Sequence, residues 1–272
     1  MILIFGDKSY ETKRIYEELK KITNDVKLIL NRYLIFSYKL NLPNPKVAYF
    51  YRTGSIFAEV RAFVEEFKEK GARIVDRSLE KGKIISKSYV YYKCKKKGFP
   101  FPESVKIREP KQYKRILNLG FPIVAKHEFK HRGEGVFLIK NEKELLKFIE
   151  KNKERLPFFI FQKYIPYEKD VRILIVGDKI LGSMQRINPN DFRANIARGG
   201  YGKEIKLNKG ILEQAFELKE SLDLDIAGID VLIKGNEYYF IEVNRSPRFE
   251  GFEKYVKKNV GREIALFLTN LR

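Results

Sequence analysis

The chain has 272 residues, of which 44% are hydrophobic and 33% are charged. This length predicts one or two domains with a buried core, and the composition excludes disordered and collagen-like classes. Its 55 Lys and Arg against 35 Asp and Glu give a net charge of +20, which favours an anionic partner such as a nucleotide, a nucleic acid or an acidic substrate. The alternative is a charged surface that serves only solubility and thermal stability.

The apolar stretches are all short. No run reaches the roughly 18 apolar residues of a membrane-spanning helix, and the apolar start at residues 1–5 is too short for a signal peptide. The single cysteine, Cys94, cannot form an internal disulfide bond, and a cysteine-cluster zinc site is excluded. We therefore expect a cytoplasmic protein without a membrane partner.

The first 80 residues alternate between strand and helix patterns. Short apolar, β-prone segments are followed by helical spacing, and the clearest helical stripe ends at Gly71. This order predicts a small βαβ unit with a parallel sheet. The predicted strands are residues 1–5, 26–30, 47–51 and 73–75.

The middle of the chain changes to an antiparallel pattern. A helix is predicted over residues 87–97, with Gly98 as its stop. Two strands follow around a glycine-containing turn, at 121–127 and 135–140, and a further strand at 158–162. We predict domain boundaries that divide the chain into residues 1–82, 83–164 and 165–272.

The last hundred residues contain two predicted strand pairs. The first is a hairpin of residues 170–176 and 179–187, and the second joins 226–233 to 238–243. A helix is predicted over residues 211–222. One continuous final helix is predicted from Glu250.

Two acidic residues and an asparagine fall on the second of these strand pairs. Asp230 lies on one strand, and Glu242 and Asn244 lie on the next, two residues apart and therefore on one face. Two carboxylates in an apolar setting repel each other unless a cation intervenes. An all-oxygen set suits Mg²⁺, so these three residues form the predicted metal site. The alternative is a strand edge that points its charges at solvent.

The residues around this site resemble a known family. Residues 240–253, FIEVNRSPRFEGFE, are similar to the C-terminal signature of the RimK-type ATP-grasp ligases, which has the pattern EVN-x-SP-x-x-EG. Segments at 170–172, 176–179, 184–186, 192–195, 198–200 and 228–231 follow the order of that family. The resemblance covers the chain from about Ser86 onward. It implies an α/β (α+β) ATP-grasp fold, in which a small N-terminal βαβ domain precedes two lobes that enclose ATP.

The resemblance also implies a reaction. A carboxylate acceptor attacks the γ-phosphorus of ATP, ADP leaves, and the amine of an amino acid, such as glutamate, displaces phosphate from the acyl phosphate. ATP and Mg²⁺ (or Mn²⁺) are the implied cofactors. An acidic carboxylate acceptor and an amino acid are the implied partners. The resemblance leaves open whether the protein forms a homo-oligomer.

Roles for individual residues come with the resemblance. The implied catalytic residues, which stabilise the transferring phosphoryl group, are Arg193, Lys126 and Asn195. The implied nucleotide-binding residues are Lys87, Lys126, Gly133, Gly135, Gln162, Ile165 and Arg193. The implied metal ligands are Asp230, Glu242 and Asn244. Arg172 and Arg186 are the implied substrate contacts. Arg245 is a further candidate substrate contact, at a position where the family more often has a small residue, and the alternative is a surface arginine that serves solubility. The sequence departs from the family at Lys130 and Lys163, where Gly and Glu are usual.

Two other functions are open alternatives. An ATP-grasp fold also supports kinases, which phosphorylate a small molecule without an amine. The lysine- and tyrosine-rich segment at residues 91–97 could bind nucleic acid through phosphate contacts and stacking, with the ATP site regulatory or lost. A solvated helix face is the simpler interpretation of that segment.

Overall fold

A computed structural model describes residues 1–33, 42–130, 135–189 and 199–271, apart from the side chain of Phe57. Three sheets lie in chain order, with strand orders β2-β1-β3-β4, β5-β8-β6-β7 and β11-β10-β9-β12-β13. We refer to them as the N-terminal, central and C-terminal sheets. Within the described residues, no helix is both long and apolar enough to cross a membrane.

The N-terminal sheet is parallel throughout, as the alternating pattern predicts. Its elements are β1 (Ile2–Gly6), α1 (Tyr10–Ile22), β2 (Val26–Leu30), β3 (Val47–Phe50), α2 (Phe57–Glu69), β4 (Arg73–Val75) and α3 (Arg77–Glu80). β1 and β3 are buried along their whole length, as expected for parallel strands covered on both faces. Ser9 caps α1 by accepting a hydrogen bond from the Thr12 amide at 3.3 Å.

The central sheet is antiparallel and contains the strand pair predicted around the glycine turn. The elements of this part of the chain are α4 (Lys87–Lys97), β5 (Ser104–Val105), α5 (Lys114–Leu117), β6 (Ile123–His127), β7 (Val136–Ile139), α6 (Glu142–Lys151) and β8 (Phe159–Lys163). Asn141 caps α6 by accepting from the Glu144 amide at 3.0 Å. Alternate residues of β6, Ile123 and Ala125, face a core that includes Ile149 of α6, which leaves Lys126 on the other face.

The C-terminal sheet is also antiparallel. Its elements are β9 (Lys169–Val176), β10 (Lys179–Ile187), β11 (Tyr201–Glu204), α7 (Lys209–Ser221), β12 (Ile226–Lys234), β13 (Glu237–Asn244), α8 (Glu250–Val256) and α9 (Val260–Asn270). One face shares a core with α7 and with Val90 and Cys94 of α4. The opposite face shares a core with α8, α9 and the N-terminal sheet.

The end of the chain differs from its prediction. The continuous final helix is wrong, because α8 ends at Val256 and Lys257 adopts a left-handed φ of 60°. The chain restarts at α9, where Asn259 caps the new helix by accepting from the Arg262 amide at 3.0 Å. The break lets α8 and α9 lie over different parts of the core.

Several hydrogen bonds fix the N-terminal sheet to the loop that follows β13. The Tyr51 hydroxyl donates to the Pro247 carbonyl at 2.5 Å, and the Arg52 amide donates to Ser246 Oγ at 3.3 Å. Glu11, which is buried, accepts from the Phe249 amide at 3.2 Å. The segment after the predicted metal ligands is therefore held from two sides.

Gly228 is where this loop crosses β12, and it provides a test of that packing. A Cβ at Gly228 would lie 2.6 Å from Cβ of Pro247, so we expect Gly228→Ala to lower the free energy of unfolding by about 1–3 kcal/mol. Gly54→Ala is the matched control, because no heavy atom lies within 4 Å of its Cβ position. Urea unfolding of both variants checks this. Equal stability of the two would contradict the close packing of Pro247 on β12.

Candidate functional site

The polar residues of the C-terminal sheet collect on one face. In the register of the strands, Asp230 of β12 pairs with Arg172 of β9 on one side and with Glu242 of β13 on the other. Asn244 pairs with Gly228, two residues along the same strands. The structure thus brings the three predicted metal ligands to neighbouring positions and places two of the predicted substrate arginines beside them.

Asp230 is buried and is neutralised by two arginines. Arg172 forms a bidentate pair with it at 2.7 and 2.9 Å, and Arg186 Nη1 lies 3.1 Å from its Oδ2. Burial opposes ionisation, but the two guanidinium groups outweigh burial and hold the pKa of Asp230 below its usual value. The carboxylate is therefore charged at neutral pH.

Arg186 also carries a second buried carboxylate. Its Nε donates to Asp170 Oδ1 at 2.8 Å, and Nη2 bonds the same oxygen. Both side chains are buried. Burial lowers the pKa of Arg186, whereas the carboxylates of Asp170 and Asp230 raise it. The carboxylates together have the larger effect, so the pKa of Arg186 lies above its usual value. The resemblance assigns Arg172 and Arg186 to substrate, and the structure shows that each already has carboxylate partners in this protein.

The three predicted metal ligands fit a hard divalent cation. Glu242 is partly exposed, and Lys87 Nζ, 3.8 Å from its Oε1, is too distant for a normal hydrogen bond. Asp230 has about four acceptor positions, three of which are used by the arginines. With the amide oxygen of Asn244, the set is all oxygen, which suits Mg²⁺. Among the described residues there is no cluster of three His, Cys, Asp or Glu that could hold a metal, so the asparagine is needed to complete the set.

Lys126 lies across from these acidic residues on the central sheet. Its Nζ donates to Gln162 Oε1 at 2.7 Å, and Gln162 Nε2 donates in turn to Ser104 Oγ at 3.0 Å. Burial lowers the pKa of Lys126 to about 8; Lys87 adds to this effect, and the carboxylate of Glu242 opposes it. This ammonium is poorly solvated and is available to an anion.

Lys87 connects the central and C-terminal sheets. Its Nζ donates to the carbonyl oxygens of Glu128 at 3.2 Å and Lys130 at 3.1 Å, and it faces Glu242. Lys87, Glu128 and Glu242 border a cavity of about 50 Å³ that Asn244 also lines. Lys87 and Lys126 are thus two cations on one side of a cleft whose other side carries the carboxylates.

Glu128 is a structural residue of the cleft that the sequence did not indicate. It is buried and accepts from the Ser88 amide at 2.8 Å, the Ser88 hydroxyl at 2.6 Å and Lys106 Nζ at 2.8 Å. Burial raises its pKa, but these donors outweigh burial and lower it to about 2. Glu128 therefore anchors the start of α4, which carries Lys87. Its partners are distant in sequence, so no local pattern identified it.

Arg245 occupies a different place from the other predicted substrate residues. It lies between the N-terminal and C-terminal sheets, near Asp76 and Tyr49. Its Nη1 and the Tyr49 hydroxyl are buried, and neither has a hydrogen-bond partner within the described part of the chain. Burial lowers the pKa of Arg245, although Asp76 opposes this effect.

The remaining predicted residues are placed as follows. Gly135, with φ of +74°, accepts from the His127 amide at 2.8 Å and closes the hairpin of β6 and β7. Ile165 is buried just after β8. Gln162 lies within β8, between Ser104 and Val124, and its side chain orients Lys126. Gly133, Arg193 and Asn195 lie outside the described residues.

The lowered pKa of Lys126 predicts a pH effect on the ATP binding that the resemblance implies. Below pH 8 the free protein carries the ammonium, whereas above pH 8 ATP would have to bind with uptake of a proton. We expect the affinity to fall by up to about tenfold per pH unit above pH 8. Lys126→Arg should remove this dependence, because arginine stays charged. Titration calorimetry between pH 7 and 9.5 measures it, and the same slope in both proteins would contradict the assignment.

The three sheets, with lysines on one side of a cleft and carboxylates on the other, have the architecture of the ATP-grasp fold. Solved structures of ATP-grasp ligases superpose on this chain. The ATP-grasp ligase PsnB, in a complex with a minimal precursor, superposes with a TM-score of 0.77 over 100% of this chain and 99% of that one, at 16% identity. D-alanine–D-alanine ligase from Bacillus anthracis superposes with a TM-score of 0.70 over 99% of this chain and 96% of that one, at 17% identity. Both likenesses are under 25% identical and support the fold alone.

The family follows from the sequence comparison. Residues 92–268 match the RimK-like ATP-grasp domain, and the chain belongs to that family. A probable alpha-L-glutamate ligase 2 from Shewanella frigidimarina is 27% identical over 286 residues, which cover 98% of this chain and 95% of the relative. Human N-acetylaspartylglutamate synthase A is 26% identical over 216 residues, covering 76% of this chain and 55% of the relative. The chain thus spans about half the length of the human relative.

Proposed function

We propose that this protein is an ATP-dependent carboxylate–amine ligase that joins an amino acid to a carboxylate acceptor and releases ADP and phosphate. The composition of the cleft is the main support for this proposal. Two lysines, Lys87 and Lys126, lie on one side, and the oxygen ligands Asp230, Glu242 and Asn244 lie on the other. This is the arrangement that a metal-bound triphosphate requires.

The chemistry needs positioning and charge neutralisation more than a covalent protein group. The acceptor carboxylate attacks the γ-phosphorus and ADP departs, and the amine then displaces phosphate from the acyl phosphate. In this proposal Lys126 binds phosphate oxygens and Lys87 holds the segment after β6 against the nucleotide. Arg193 and Asn195 are proposed to stabilise the phosphoryl group, Gly133 and Gly135 to approach the phosphates, and Gln162 and Ile165 to border the adenine.

Mg²⁺ is the metal that we propose for this site. A bound Mg²⁺ would neutralise charge on the phosphates as the phosphoryl group is transferred, with Asp230, Glu242 and Asn244 as its protein ligands. One structural relative, PsnB, was determined with a minimal precursor, Mg and ADP, and superposes with a TM-score of 0.75 over 99% of this chain and 96% of that one, at 17% identity.

Glutamate or a similar amino acid is the proposed amine donor. Relatives carry the names alpha-L-glutamate ligase and N-acetylaspartylglutamate synthase. Arg245 is the best-placed candidate for an acidic substrate, because its buried Nη1 has no hydrogen-bond partner among the described residues. Arg172 is paired with Asp230, and Arg186 is paired with Asp170 and Asp230. We propose that the two arginines affect the substrate by positioning these carboxylates.

Product analysis tests the proposal. The protein is incubated with ATP and Mg²⁺ and an extract of the host, with and without a pool of amino acids. We expect ADP and phosphate only when acceptor and amino acid are both present, and a mass gain of one amino-acid residue on the acceptor. A phosphorylated product formed without any amine would contradict the proposed ligase activity and would indicate a kinase.

A further inference from the structure

The positive charge of this protein is concentrated in one part of the chain. Residues 83–164 contain 21 Lys and Arg against 8 Asp and Glu, a net charge of +13 out of +20. If this charge served stability, the lysines would be paired with acidic residues in networks.

The cations of this segment are mostly unpaired. Five of its 20 described Lys and Arg form an ion pair within the described residues, whereas nine of 15 do so in residues 1–82. The five are Lys83, Lys87, Lys106, Lys111 and Lys153. The surplus charge repels itself and does not stabilise the fold through ion pairs.

Four of these unpaired lysines lie together on α4. Lys93, Lys95, Lys96 and Lys97 form no ion pair with any described residue, and the last three are exposed. Tyr92 on the same helix is 54% exposed, with Lys96 Nζ 5.9 Å from its ring centroid. We call Tyr92 and these four lysines the α4 stripe.

A second exposed aromatic group adjoins the start of α4. Phe129 is 58% exposed and Phe158 is 45% exposed, with ring centroids 6.3 Å apart, and His127 stacks on Phe158 at 5.9 Å. Burial and the positive charges of Lys130, Lys87 and Arg155 lower the pKa of His127. Lys87 links this ring cluster to α4, because it donates to the carbonyls on either side of Phe129.

We propose that the α4 stripe, together with the rings of Phe129 and Phe158 beside the start of the same helix, binds single-stranded nucleic acid. Cations beside exposed rings bind phosphates and stack unpaired bases at the same time. An acidic peptide would use the lysines but has no need of the rings, and a duplex keeps its bases stacked and out of reach. This binding goes beyond the ligase activity and does not depend on it.

Fluorescence anisotropy with a labelled 12-nucleotide oligouridylate tests the surface in the 272-residue protein. One variant replaces Lys93, Lys95, Lys96 and Lys97 with Gln. The matched control replaces Lys140, Lys143, Lys147 and Lys151, which are also exposed and without an ion pair among the described residues, so it removes the same charge from another part of the same segment. Circular dichroism verifies that both variants are folded.

We expect the wild-type protein to bind the RNA with an affinity that falls as salt rises. The α4 variant should reduce the slope of log affinity against log salt by about 3, and the control should change it little. Tyr92→Ala should weaken binding by about 5- to 150-fold with the slope unchanged. Equal losses in the two lysine variants, no binding at low salt, or tighter binding of a decaglutamate peptide would each overturn the proposal.

Discussion

Replacing Glu242 with Gln is expected to abolish most turnover and to leave the fold intact. The proposed metal loses a charged ligand, and several kcal/mol of charge stabilisation correspond to about 10²–10³-fold in rate. The side chain is partly exposed, and its contact with Lys87 is long, at 3.8 Å, so little stability depends on it. Steady-state ADP formation and urea unfolding measure the two effects.

Glu237→Gln is the control for this prediction. Glu237 is exposed at the start of β13, the strand that carries Glu242, and its replacement removes the same charge. We expect its turnover to match the wild-type protein. Normal turnover in the Glu242→Gln variant would show that Glu242 is not a metal ligand.

Replacing Arg186 with Met is expected to give the largest loss of stability. In the variant, buried Asp170 loses its arginine partner and buried Asp230 keeps only Arg172. Removing one partner of a buried ion pair lowers stability by about 3–5 kcal/mol. The effect should appear as a lower midpoint in urea unfolding, with turnover lost because Asp230 moves.

Arg61→Met serves as the comparison for Arg186→Met. Arg61 pairs with Glu65 at 2.7 Å, but both side chains are more than half exposed, so the loss should stay within about 1 kcal/mol. Similar losses for both variants would show that the cluster around Arg186 does not support the fold.

The local sequence was sufficient for most elements and for the pairing of the predicted metal ligands. The period-2 patterns predicted both C-terminal strand pairs, and Asp230 and Glu242 are indeed neighbours. The break between α8 and α9 was missed because a lysine, Lys257, takes the left-handed position where glycine is usual. Asn259 was the available signal, since it is a strong cap residue.

The electrostatics of the site could not be predicted in the same way. Arg172 and Arg186 are on different strands from Asp230, and their pairing depends on the order of the strands in the sheet. The partners of Glu128 are on α4 and near β5, 40 and 22 residues away. Such contacts follow from tertiary packing, which a single sequence pattern does not encode.

Transfer of oxygen from the acceptor to phosphate is the direct signature of an acyl-phosphate intermediate. The acceptor identified by product analysis is labelled with ¹⁸O in its carboxylate and incubated with ATP, Mg²⁺, the amino acid and the protein. An acyl phosphate requires that one labelled oxygen leave with the phosphate, so we expect ¹⁸O in the phosphate released. Phosphate without ¹⁸O, formed together with the ligated product, would contradict it.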